Sequence, residues 1–115
     1  MHYSRDSEWR ELVRITGPSH NLLGLDLAAD KSGLPPAIQV LPGEASPRLN
    51  SLVVLRQAAK GVALANIKFG TEFRIAKLRY VSDDTPSEDV YRILAYEIVK
   101  RAAQETVVQQ RFAAN

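Results

Sequence analysis

The chain has 115 residues, room for one domain and one core, and its 45% hydrophobic content excludes a disordered segment. It contains no cysteine, which excludes disulfides, thiolate metal sites and cysteine nucleophiles. A net charge of +2 is too small for a domain built throughout to grip nucleic acid, and no apolar run approaches the length of a membrane span.

Residues 1–7 read as a loose lead-in. The opening MHYSRDSEWRE is charged and lacks the apolar stretch of a secretory signal, so a cytoplasmic protein is expected. Glu8 to Thr16 alternates as a strand: Trp9, Val13 and Ile15 form an apolar face, and Arg10, Leu12, Arg14 and Thr16 form a mixed, basic one. Gly17 to Asn21 has turn composition. A second strand then runs from Leu22 to Ala28, with Leu23, Leu25 and Leu27 on one side. After a loop at 29–37, Ile38 to Leu41 suits a short third strand that ends at Pro42.

The first helix has two rival starts, Ser46-Pro47 and Asn50, and stops at Gly70. Its expected apolar face is Leu52, Leu55, Ala58, Ala59, Val62, Ala65 and Phe69. Asn66 falls inside that arc and needs a partner if buried. Alanines and Gly61 make this helix thin, so another element can approach closely. In the strand from Thr71 to Val81, Phe73 and Ile75 share one parity while Leu78 and Tyr80 share the other. The switch predicts a bulge near Ala76-Lys77. Thr85, Pro86 and Glu88 match a capping box that opens a second helix, from Pro86 to about Gln110, with a frayed end at 111–115. Its stripe is Val90, Tyr91, Leu94, Ala95, Ile98 and Ala102, with Ile93 and Tyr96 on the far side.

These elements predict a single α+β domain over residues 1–115. It is a two-layer sandwich in the order β-β-(β)-α-β-α, with both helices on one face of an antiparallel or mixed sheet. The other face is left open and is expected to carry Arg10, Leu12, Arg14 and Leu22.

The stretch LRQAAKGVALANIKFGTEFRIAKLRYVSDD resembles the fourth domain of elongation factor G. The shared pattern is a helix ending in a glycine, a strand of apolar residues, an acidic corner and a further helix. The resemblance covers about half the chain. It implies a topology of three strands, helix, strand and helix, and contact with RNA.

An open sheet face invites a protein partner or a second copy of the chain, so a binding domain that forms a homodimer or joins a complex is the main expectation. The binding residues are then Arg10, Leu12, Arg14, Leu22, Arg74, Lys77 and Arg79. The basic members of that set would instead meet phosphates in an RNA-contacting domain. A third reading is a small enzyme, with His20 as base and Asp84 or Glu72 as its partner and Ser19 nearby. A simpler account competes with the enzyme: hairpin loops select Ser, His and Asn to satisfy turn amides. Likewise, Asp83, Asp84, Glu88 and Asp89 gather where acids complement a helix N-terminus, and their spacing fits no calcium loop. There is no phosphate loop, paired-His spacing or dinucleotide fingerprint, so neither cofactor nor metal is expected.

Overall fold

The computed structural model describes residues 1–113, with side chains through residue 105. Its elements are β1 (His2–Asp6), β2 (Trp9–Thr16), β3 (Ser19–Ala28), β4 (Ala37–Leu41), α1 (Ser51–Phe69), β5 (Arg74–Val81) and α2 (Val90–Ala113). The strands form one mixed sheet in the order β1-β2-β3-β5-β4. β1 to β3 and β5 pair antiparallel, while β4 runs parallel to β5. α1 is the crossover between those two parallel strands, as parallel pairing requires.

The core lies between one face of the sheet and both helices. Leu12, Leu23, Leu25, Leu78 and Tyr80 pack in a single cluster with Val54 and Ala58 of α1 and with Tyr91, Leu94 and Ile98 of α2. The helices touch along Gly61, where a Cβ would collide with the Arg92 carbonyl oxygen and the Ala95 methyl. The thin face of α1 therefore serves its contact with α2. The α1 stripe is rotated from the expected one. Val54 and Gly61 are buried, while Leu52 and Ala59 are exposed. The reason is that α1 has two neighbours, the sheet beneath and α2 at its side.

Several local features match their sequence signals. Gly70 takes the left-handed conformation (φ 65°) at the end of α1. Asn66 does find partners: its amide donates to the Phe73 carbonyl (2.8 Å) and its oxygen accepts the Phe73 N–H (3.1 Å). The β3–β5 register shifts between Asp26 and Leu27, leaving Ala76 as the extra residue of the bulge. On α1 the cap is Asn50, whose side chain accepts the Leu52 and Val53 amides.

Other expectations are corrected. Residues 2–6 are not a loose lead-in but strand β1. It is held by the β2 ladder and by Glu105 of α2, which takes the Tyr3 hydroxyl (2.9 Å) and Arg5 (3.1 Å). α2 begins at Val90, not at Pro86. Thr85 does not cap it; its hydroxyl accepts the His20 N–H (3.1 Å), and its own N–H donates to the His20 carbonyl (3.2 Å). Glu88 turns instead to the Asn50 N–H (3.4 Å). Partners distant in sequence replaced the local capping box because the corner lies against the end of the sheet. α2 also runs three residues past Gln110, to Ala113. Residues 114 and 115 of the expected frayed end lie outside the described residues.

Candidate functional site

The face of the sheet away from the helices is uncovered. Its composition follows from the β2–β3 turn, which has two residues at its tip, Gly17 and Pro18. Gly17 has φ 60°, a conformation that suits glycine at the first position of a tight hairpin turn. This turn sets Leu12 opposite Leu23, and Val13 opposite Leu22. Side chains directly opposite share a face, so Leu12 joins the core with Leu23. The expected open-face placement of Arg10, Leu12 and Arg14 is therefore reversed, and of that group Leu22 alone faces outward. The five-residue loop read from the sequence concealed this, because a change of loop length resets which parity points inward.

Trp9, Glu11, Val13 and Ile15 occupy the open face instead. Val13 lies opposite Leu22 and Val81 opposite Leu41; the β3–β5 ladder ends one position earlier, at Leu23 and Tyr80, and its continuation brings the two pairs into one apolar row across four strands. Ile15 is 72% exposed at one end of it. A charged lattice runs alongside. The Arg79 guanidinium lies 4.2 Å above the Trp9 ring and pairs with Glu11 (Nε to Oε2, 2.8 Å), crossing over Gly24, where a Cβ would strike its side chain. Lys77 sits 5.9 Å from the same ring and pairs with Glu8 (3.3 Å), whose carboxyl is lowered to about 2 by hydrogen bonds from Ser7, its own backbone and Lys77.

The remaining basic residues are dispersed. Arg10 lies on the helix side and reaches Glu105 (3.0 Å). Arg14, on the same side, lines a recess near the hairpin tip. Arg74 pairs with Asp30 (2.6 Å).

His20 and Asp84 do meet. His20 Nδ1 lies 2.8 Å from Asp84 Oδ1, and the Leu22 N–H donates to the other carboxylate oxygen (2.7 Å). The Asp84 side chain is fully buried while His20 is exposed. Burial raises the Asp84 carboxyl above its usual range, against the opposing pull of the Leu22 amide and His20. Next to His20 is an open hollow of about 510 Å³ bordered by Pro42, Gly43, Glu44, Val81 and Asp83. Ser19 is not part of this arrangement: strand alternation puts it on the helix side. Glu72 is excluded as a partner, since it precedes β5 while Asp84 follows it, roughly 25 Å of extended chain away.

Three of the four corner acids are individually engaged. Asp83 accepts the Ala45 N–H (2.9 Å), Asp84 that of Leu22 and Glu88 that of Asn50. Among the described residues no three His, Cys, Asp or Glu side chains are placed to hold a metal ion. Nor is any described helix long and apolar enough to cross a membrane. A further groove of about 600 Å³ runs between α1 and the chain before β4, with Leu34, Leu52, Leu55, Ala59 and Phe73 in its walls.

Comparison with protein families, curated proteins and solved structures finds no match to this chain.

Proposed function

We propose that this protein is a non-catalytic interaction domain that associates with a second copy of itself through the uncovered face of its sheet. The observation that carries the reading is the apolar row Leu41, Val81, Leu22 and Val13, half-buried on the uncovered face beside a pre-ordered Trp9–Arg79–Glu11 cluster. Trp and Arg are the side chains most enriched where binding energy concentrates. Five strands about 4.8 Å apart, each about 20 Å long, offer a face on the order of 500 Å². Two stacked copies then cover about 1,000 Å², the lower end for a specific interface. The face carries both signs, Glu8 and Glu11 against Lys77 and Arg79, so a two-fold axis can set opposite charges together.

The order β2-β3-β4-α1-β5-α2 supports a layout shared with the fourth domain of elongation factor G, with β1 as an addition. The RNA-contacting role has less support: Arg74, Lys77 and Arg79 are matched one to one by Asp30, Glu8 and Glu11, leaving little positive charge for phosphates. A cytoplasmic setting goes with this reading and is supported by the absence of cysteine.

The test is mass by light scattering across a dilution series. A dimer is expected for the native chain, and monomers for Leu22→Asp and for the solvent-facing Ile15→Asp. Ile67→Asp, on the outer surface of α1, should leave the dimer intact. A native chain that stays monomeric at the highest concentration sinks the proposal.

The 2.8 Å contact between His20 and Asp84 favours a second reading, an enzyme in which Asp84 orients His20 as a general base beside the open hollow. This reading requires that hydrolysis of an activated ester such as p-nitrophenyl acetate fall sharply in His20→Gln. Equal rates in both proteins would remove it.

A further inference from the structure

Between the β2–β3 hairpin tip and the corner before α2 lies a recess of about 210 Å³. Its wall includes Arg14, Thr16, Ser19, Asn21, Thr85 and Ser87, and no carboxylate lines it. The other arginines on the strands, Arg5, Arg10, Arg74 and Arg79, each meet a carboxylate. Arg14 meets none among the described residues, although it is partly buried. Its guanidinium thus brings an unmatched positive charge to the recess.

The hydroxyls add donors. A hydroxyl has one proton, and an oxygen that already accepts a backbone N–H keeps that proton to give. Thr85 Oγ1 accepts from His20 N–H (3.1 Å), and Ser87 Oγ accepts from Asp89 N–H (3.3 Å). Thr16 and Ser19 face each other across the ladder, and their hydroxyls make no side-chain hydrogen bond among the described residues. The Asn21 amide is already committed, to the Thr85 carbonyl (2.8 Å) and the Tyr91 hydroxyl (3.2 Å), and stiffens the floor. The recess therefore combines one cation with four hydroxyl protons, and no carboxylate is part of its lining.

We propose that this recess binds a phosphate group. A carboxylate offers two oxygens, whereas a tetrahedral phosphate offers enough to take the Arg14 fork and several hydroxyls at once. The volume lies below the roughly 300 Å³ at which drug-sized pockets begin, so it suits one phosphate and the first atoms of a carrier. The recess opens on the helix side of the sheet, so it stands independently of the association surface.

The experiment is an amide-shift titration of the full chain with inorganic phosphate and with phenyl phosphate, using chloride at matched ionic strength as the control. Saturable shifts are expected at Thr16, Ser19 and Ser87, with affinity reduced at least about tenfold in Arg14→Ala and partly kept in Arg14→Lys. A tighter fit for phenyl phosphate identifies a phosphorylated small molecule, and equal affinity identifies the free ion. Should Arg14→Ala fail to fold, the Ser19→Ala, Ser87→Ala double variant reports the same loss. Shifts matched by chloride, or unchanged in the variants, overturn the proposal.

Discussion

Replacing Gly61 with alanine sets two physical effects against each other. In an open helix the change stabilises by about 1 kcal/mol, because glycine sacrifices more backbone entropy and exposes more backbone to water. Here the new methyl would meet the Arg92 carbonyl oxygen and the Ala95 methyl. A carbonyl belonging to helical backbone has no rotamer to turn away. α1 and α2 must then separate by roughly 1 Å, enough to forfeit a quarter to a half of the dispersion energy at each contact along the crossing. Overpacking of this kind costs about 1–3 kcal/mol before any relief from helix propensity. The net expectation is a loss of about 1 kcal/mol after propensity is counted, or about 4 °C in Tm for a domain of this size. Urea titration followed by far-ultraviolet circular dichroism measures it, with the slope of the transition expected to stay unchanged. A gain of about 1 kcal/mol would mean that Gly61 faces open space, and the close helix crossing would be refuted.

Asp84→Ala strands the Leu22 N–H and is expected to cost about 2 kcal/mol, while Asp84→Asn keeps an acceptor there and should cost less than half as much; equal losses would show that hydrogen bonding is not the cause. Because burial raises the Asp84 carboxyl above 3.8, the folded chain takes its proton first on acidification. Its contribution is present below 3.8 and lost as pH rises through the raised value, a limb that Asp84→Asn should flatten in pH-dependent melts. Burial and the Glu105 hydrogen bond push the Tyr3 phenol up to about 12. That stabilisation is complete below pH 10 and is lost as pH climbs to about 12, so Tyr3→Phe should remove one late phenol ionisation from an ultraviolet titration. Trp9 is the sole tryptophan, and Arg79→Ala, by uncovering its ring, is expected to shift its emission to the red; unchanged emission would contradict the stacked geometry.

Features that depend on a few adjacent residues were legible in the chain itself. Gly70 ends a helix because its missing Cβ permits the left-handed conformation, and the parity switch around Ala76 signals a bulge because strand side chains alternate strictly. The α2 stripe of Tyr91, Leu94, Ala95 and Ile98 is likewise periodic enough to identify its buried face. The elements after β1, their order and a one-sided sheet follow from such patterns. Tertiary structure alone decided which face of β2 points inward, because that depends on pairing with β3 across a turn whose length is ambiguous in the sequence. It also decided the fate of Thr85 and Glu88, whose local capping pattern competes with partners 65 and 38 residues away. The meeting of His20 with Asp84, and of Arg14 with the corner hydroxyls, belongs to the same class. Each joins groups that no short-range periodicity links, and only the closed sheet brings them within reach.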